Sequence, residues 1–388
     1  MHGALGAVVV SPPSVPALGE VVRIATDAAA DVDRGARFPA EAIDAARAAN
    51  LLSCSLPRSC GGGSYQVSAL AQIARALGAA CSATGMVFAM HHAQALTLAR
   101  HGSGARADGI LRRISANELL LASATTEVTT GGDIGSSTCA LITENGEVVL
   151  RKEAAVISYA EHADYICATA RRTPDSPPND QVLLLCPAET TTLTRVGTWD
   201  AMGFRGTCSL GYLLSTRTSP EHLLPGDYAT MAAATMVPAS HTLWAAVWLG
   251  VADAALGKAR RAAREAAARA GGQVTPKARR LADLTAIHQE FEASVVGAVE
   301  RFEAFIRSGS NEPTMGFMIA MNNLKLTAST AVIDVVSGAL QLIGLNGYRE
   351  DHPLSVGRLL RDAFAPAVMV SNDRIRDNNA RLVLAHRG

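Results

Sequence analysis

The stretch from Ala124 to Thr138, ATTEVTTGGDIGSST, combines three glycines with a dense run of hydroxyl side chains and only two acids. Thr125, Thr126, Thr129, Thr130, Ser136 and Ser137 each donate and accept hydrogen bonds, while Gly131, Gly132 and Gly135 let the backbone approach a ligand closely. A planar heterocycle that alternates carbonyls and ring nitrogens satisfies such a surface. An ordinary Thr/Gly-rich loop has the same composition. Three further places carry reactive types: the pair His91 and His92 in GMVFAMHHAQAL, His241 after Ser240 in PASHTLW, and Arg205 with Cys208 in FRGTCS. An imidazole near ~6.5 is a competent base, whereas a thiol with a single arginine nearby reads as a small apolar filler.

Helices and strands must position these residues, and the text changes character twice along the chain. From about Glu20 to Leu120 the apolar residues recur at helical spacing, Pro39 stands at a helix start, and SLPRSCGGGS interrupts the pattern with a proline and three glycines. After Leu121 the pattern becomes strand-like, and Asn145-Gly146 between apolar runs predicts a hairpin. From Ala232 helical text returns: a long Ala/Arg-rich helix, another from Pro276, a much more apolar interior helix, and a last element interrupted at Pro366. The expected division is a helical domain over 1–120, a β-domain over 121–230 and a helical bundle over 231–388. Such segregation of helices from strands excludes a doubly wound sheet, so TTGGDIG is not a dinucleotide-binding fingerprint.

Composition narrows the partners. Thirty-five basic residues balance 35 acidic ones, so no net field favours nucleic acid or an anionic membrane. The seven cysteines show no paired CxxC hooks, which predicts neither a metal site nor a disulfide framework and fits a reducing, cytoplasmic compartment. The first twenty residues lack a basic segment and are broken by prolines, which reads as a loose arm, and no apolar window reaches the ~20 residues of a membrane span.

Four blocks, in order, resemble the acyl-CoA dehydrogenase family of flavoproteins: LLSCSLPRSCGGGSY, ATTEVTTGGDIGSS, WDAMGFRGTCS and QLIGLNGY. The resemblance implies an α+β fold: an N-terminal helical domain, a middle β-barrel or β-sandwich and a C-terminal four-helix bundle. It also implies FAD and a homo-oligomer, a dimer or tetramer, with the site completed across subunits. Carried onto this sequence, Thr126 and Val128 lie beside the flavin pyrimidine with Thr125 close behind, Gly132 lets the backbone approach, and Ser137 is near the pyrophosphate. Val156 and Ser158 flank the ring, with Ser158 at its N5 edge, and Gln341 and Gly344 meet the pyrophosphate of a neighbouring subunit. Arg205 is either a substrate anion contact or a surface ion pair, and Tyr348 either closes the cleft or plugs its turn.

The family pattern breaks in places that bear on activity. Val370 or Ser371 stands where the family's catalytic glutamate usually sits, and Ser240 stands at the alternative position, with His241 beside it as a substitute base or a packing residue. The arginine and phenylalanine that hold the FAD diphosphate and adenine are reduced to Arg264 and Arg269 without an aromatic partner, so a smaller flavin is an alternative. Val156 replaces the family's usual aromatic. Flavin monooxygenases of the same fold lack the glutamate and often place histidine near the flavin C4a edge, a role open to His92.

The resemblance points first to an acyl-CoA dehydrogenase-type oxidoreductase that oxidises an acyl thioester by hydride transfer to N5, passing electrons to a protein partner. A two-component monooxygenase served by a flavin reductase is the second reading. A catalytically inactive scaffold is the third.

Overall fold

A computed structural model of the chain describes residues 16–131 and 133–386. The N-terminal arm and Gly132 lie outside the described residues.

The described residues begin with five α-helices, α1 (Pro16–Gly35), α2 (Ala40–Ala48), α3 (Val67–Ala80), α4 (Ser82–His101) and α5 (Ala105–Asn117). In α1, Val21, Ala25, Ala29 and Val32 recur at helical spacing and are buried. Helix α4 buries nearly its whole surface, including His91 and His92.

Seven strands follow: β1 (Leu121–Ala124), β2 (Ile142–Glu144), β3 (Glu147–Ile157), β4 (Tyr165–Arg171), β5 (Gln181–Pro187), β6 (Thr191–Val196) and β7 (Leu210–Thr218). They form two sheets, β1-β4-β5 and β2-β3-β7-β6. The β2–β3 hairpin turns at Asn145 and Gly146, both left-handed at φ 52° and 81°, as a primed two-residue turn requires. Strand β1 pairs in parallel with β4, Leu121 opposite Tyr165. Strands β4 and β5 are buried on both faces because the second sheet covers one side and helices the other.

The last third comprises α6 (Tyr228–Met231), a π-helical turn at Ala232–Met236, and then α7 (Val237–Arg269), α8 (Pro276–Arg307), α9 (Met315–Ile343), α10 (Leu345–Tyr348), α11 (Gly357–Met369) and α12 (Asn372–Ala385). Thr275 and Thr314 cap α8 and α9, each hydroxyl accepting from a first-turn N–H at 3.2 Å. Helix α7 crosses α3 so closely that a Cβ on Gly250 would collide with the Arg75 carbonyl. The architecture is the expected one: helical domain, two-sheet β-domain, helical bundle.

Two details depart from expectation. By length and composition α9 is apolar enough to cross a bilayer, although no such window was expected. It packs against α7, α8, α11 and α12 and carries the buried Asn322 and Lys325, as an interior helix does. The final element does not break at Pro366, which lies inside α11; it breaks at Val370, whose backbone is extended, and Ser371, which together separate α11 from α12.

Buried Asp362 on α11 fastens the three parts together. It accepts from the Phe204 N–H at 2.6 Å and from the Ser82 hydroxyl, one from the β-domain and one from α4.

Candidate functional site

The loop after β1 rests on a buried ion pair. Lys152 on β3 donates to Glu127 Oε1 at 2.9 Å and to the Thr169 carbonyl at 2.7 Å, while Glu127 Oε2 accepts from the Thr138 N–H at 2.9 Å. Burial pushes the Glu127 carboxyl up, but the Lys152 charge and the Ser137 and Thr138 hydroxyls outweigh it and hold the group at about 2. The Ser137 hydroxyl, expected near a pyrophosphate, is fully buried and donates to Glu127. It belongs to the floor of the loop.

Above that floor the surface is open. Thr125 and Thr126 are half-buried, and the Thr126 hydroxyl bonds no described residue, while Thr125 lies beside the Tyr228 hydroxyl. Val128, 52% exposed, is held alongside β3 by its N–H to the Glu153 carbonyl at 3.4 Å. The β3–β7 register shifts between Ala154 and Ile157, and this irregularity turns Val156 outward, 43% exposed. Ser158 follows, half-buried, its hydroxyl 2.8 Å from Ser209 Oγ, which lies 2.7 Å from Thr207 Oγ1.

Three residues around this hydroxyl chain, Tyr159, Phe204 and Cys208, are left-handed without being glycine, at φ 43°, 48° and 47°. Each such conformation costs roughly 1–2 kcal/mol and persists where surrounding structure fixes it, typically at functional positions. From the bundle, Arg374 on α12 reaches the loop and donates to the Gly131 carbonyl at 2.5 Å. The donor set therefore fits a flat heterocycle with an anionic tail: two apolar side chains for a ring face, hydroxyls for its polar edge, and an exposed guanidinium for a phosphate.

The expected bases are placed differently. The ring of His92 is fully buried, its Nε2 donating to the Leu51 carbonyl at 2.9 Å and its Nδ1 accepting from Ser55 at 2.8 Å. His91 likewise joins the Leu52 carbonyl at 2.6 Å to the Leu121 N–H at 3.0 Å. Burial lowers both imidazoles, His91 to about 4, so the pair is neutral and pins the 51–55 turn to β1. His241 on α7 is also buried and held near 4 by desolvation; Nδ1 donates to the Met321 carbonyl at 3.1 Å, and Nε2 bonds no described residue.

Lys325 dominates the position of the family's glutamate. Its ammonium, fully buried on α9, donates to the Val370 carbonyl and to Asn372 Oδ1 at 2.7 Å. No carboxylate among the described residues forms an ion pair with it, and desolvation lowers its titration to about 8.

Arg205 is committed to the Asp33 and Ala201 carbonyls and to Asp200, at 2.9, 2.7 and 3.0 Å, and ties the β-domain to α1. Gln341, Gly344 and Tyr348 lie at the far end of α9, where Lys277 donates to the Ile343 carbonyl at 3.0 Å. Tyr348 is 73% exposed, and none of the three makes a hydrogen bond to the described residues of the 125–138 loop. Sequence reasoning missed Arg374, Lys325, Thr207 and Ser209. The last two flank Cys208, whose thiol drew attention but which burial pushes up and which points to the Ala36 carbonyl.

Comparison with known proteins agrees with this architecture. The N-terminal domain model of the acyl-CoA dehydrogenases matches residues 21–118 and their C-terminal domain model residues 233–369, together more than half of the chain. The amino sugar nitrososynthase DnmZ of Streptomyces peucetius is 26% identical over 355 residues, 87% of this chain and 84% of that protein. The cyclohex-1-ene-1-carbonyl-CoA dehydrogenase of Syntrophus aciditrophicus is 23% identical over 361 residues, 91% of this chain and 84% of that protein. FMN-bound TdsC of Paenibacillus sp. A11-2, a dibenzothiophene monooxygenase, superposes with a TM-score of 0.84 at 18% identity, over 96% of this chain and 97% of its own.

These likenesses correct two expectations, acyl-thioester dehydrogenation and FAD, since the structures that superpose over nearly the whole chain include FMN-bound monooxygenases. The physical reasons are local: Val370 and Ser371 at the α11–α12 junction carry no carboxylate, Asp373 in the first turn of α12 is exposed and paired with Arg376, and Arg264 and Arg269 are exposed among alanines with no aromatic to hold an adenine. With both domain models matched in chain order around a two-sheet middle, the chain belongs to the acyl-CoA dehydrogenase superfamily of flavoenzymes.

Proposed function

We propose that the chain is the oxygenase component of a two-component flavin monooxygenase, working in the cytoplasm as a homo-oligomer and taking reduced FMN from a separate reductase. The observation that carries this reading is the junction of α11 and α12, at Val370 and Ser371. Where proton abstraction from an acyl thioester needs a carboxylate, this chain has the Val370 carbonyl fixed on the buried Lys325 ammonium. A cation beneath a neutral carbonyl cannot remove an alpha proton, and loss of a general base costs roughly 10²- to 10⁴-fold.

When bound, reduced flavin would supply the two electrons that activate oxygen. The chain's own residues do the rest. Val128 and Val156 would pack on the ring, Thr125 and Thr126 would bond its pyrimidine edge, Ser158 would stand at N5, and Arg374 would hold the phosphate. His241 is neutral, and its Nε2, which bonds no described residue, is a hydrogen-bond acceptor rather than a base, because burial holds its titration near 4. His92 is neutral too and pins the 51–55 turn through Leu51 and Ser55. The names of the relatives point to a small substrate with an oxidisable nitrogen or sulfur atom, an amine or a heteroaromatic.

The test supplies purified protein with FMN, a flavin reductase, NADH and isotopically heavy oxygen gas, and surveys amines and sulfur heteroaromatics by mass spectrometry. Heavy oxygen in a product, dependent on the protein, is expected. Bleaching of bound flavin by an acyl-CoA without oxygen would overturn the proposal.

A further inference from the structure

The hydroxyls of Ser158, Ser209 and Thr207 form a continuous chain whose far end is fixed. Thr207 Oγ1 lies 2.9 Å from the Phe204 carbonyl, 2.7 Å from Ser209 Oγ, and through it 2.8 Å further to Ser158 Oγ. A carbonyl only accepts, so Thr207 donates to Phe204. Thr207 must then accept from Ser209, and Ser209 must accept from Ser158. The opposite order would set the lone pairs of Thr207 and Phe204 against each other at 2.9 Å.

Ser158 makes no other hydrogen bond to a described residue, so its proton points inward and its outward capacity is a lone pair. The backbone holds this arrangement: the Tyr159 N–H donates to the Thr207 carbonyl at 2.8 Å, Ile157 pairs with Leu210, and left-handed Phe204 and Cys208 bracket the turn.

We propose that Thr207 and Ser209 are positioning residues that fix Ser158 as a hydrogen-bond acceptor, so that the site selects reduced over oxidised flavin. The proposal rests on the flavin placement given above. N5 of a reduced flavin carries a proton and donates to such an acceptor; N5 of an oxidised flavin presents a lone pair and is repelled by it. The chain thus favours the form a reductase delivers and releases the spent one.

The test measures dissociation constants for oxidised FMN in air and for reduced FMN without oxygen, in the wild type, Thr207→Val and Ser209→Ala. Valine keeps the shape of threonine but cannot accept from Ser209, which then donates back toward Ser158 and frees the Ser158 proton for the cleft. Tighter binding of reduced FMN is expected in the wild type. Both variants should lower the ratio of the two constants about tenfold, a shift of about 30 mV for a two-electron couple. Damage to the fold alone would weaken both states equally and leave the ratio unchanged. An unchanged ratio in both variants, or tighter binding of oxidised FMN by the wild type, overturns this proposal and leaves the flavin placement standing. Failure of the wild type to bind FMN in either state overturns both.

Discussion

Two buried lysines, Lys152 and Lys325, show how differently one residue type is compensated in this molecule. Lys152 faces the Glu127 carboxylate and the Thr169 carbonyl, and the surrounding hydroxyls and N–H groups complete Glu127, so the group is closed and electrically neutral. Among the described residues Lys325 has only the Val370 carbonyl and the Asn372 side chain, so its charge is hydrogen-bonded but not neutralised by them. A closed pair is a structural fastener, because every donor and acceptor is used within it. An open cation at a helix junction biases whatever binds beside it. The difference separates the floor of the site, whose polar groups are all paired, from the seam between α9 and α12, where the buried charge has no counterion among the described residues.

The largest expected effect breaks the closed pair. Lys152→Met leaves Glu127 buried without its countercharge and should cost about 3–5 kcal/mol in urea unfolding. A cost below about 1 kcal/mol would mean that the pair is not the fastener described. Next in size is the open side. Arg374→Ala removes the guanidinium that α12 lends to the loop and should weaken FMN binding about 10- to 100-fold while leaving riboflavin, which has no phosphate, unchanged in an equilibrium titration. Equal loss for both ligands would place the phosphate elsewhere.

The smallest effect is the pH response of Lys325. Its amine titrates at about 8 in the fold, below the ordinary 10.5. Between those values the unfolded chain binds more protons than the folded one, so stability attributable to this group rises as pH rises through that window. The wild type should gain on the order of 1–2 kcal/mol there relative to Lys325→Met, as read from paired denaturation curves. Parallel curves would show that the ammonium is neutralised by a partner.

Much of the fold was legible because local rules and tertiary context agree. Asn145-Gly146 gives its hairpin, Pro276 opens α8, and the helix-strand-helix order carries the architecture. The break near the C-terminus was misplaced because Pro366 removes one backbone donor yet stays within α11, while Val370 becomes extended where Lys325 takes its carbonyl. No local signal announces the parallel pairing of β1 with β4, a contact between residues forty-four apart in sequence.

At the site, ATTEVTTGGDIGSST was legible as a hydroxyl-rich surface. The sequence could not say which hydroxyls face outward. Ser137 goes to the buried Glu127, whereas Thr126 stays open, and only the fold decides between them. Thr207 and Ser209 were hidden by the thiol between them, and Arg374 by its distance of more than 230 residues from the loop it touches.

The apolar character of α9 has a consequence for how the protein is made. So long an apolar helix is a hazard while it emerges from the ribosome, when its uncovered surface can meet another nascent chain. Because α7 and α8 precede it, two of its neighbours in the fold are already synthesised when Met315 appears. Chain order thus serves as a safeguard: the receptacle is built before the sticky part arrives, and a circular permutation that moved α9 ahead of α7 would remove that protection.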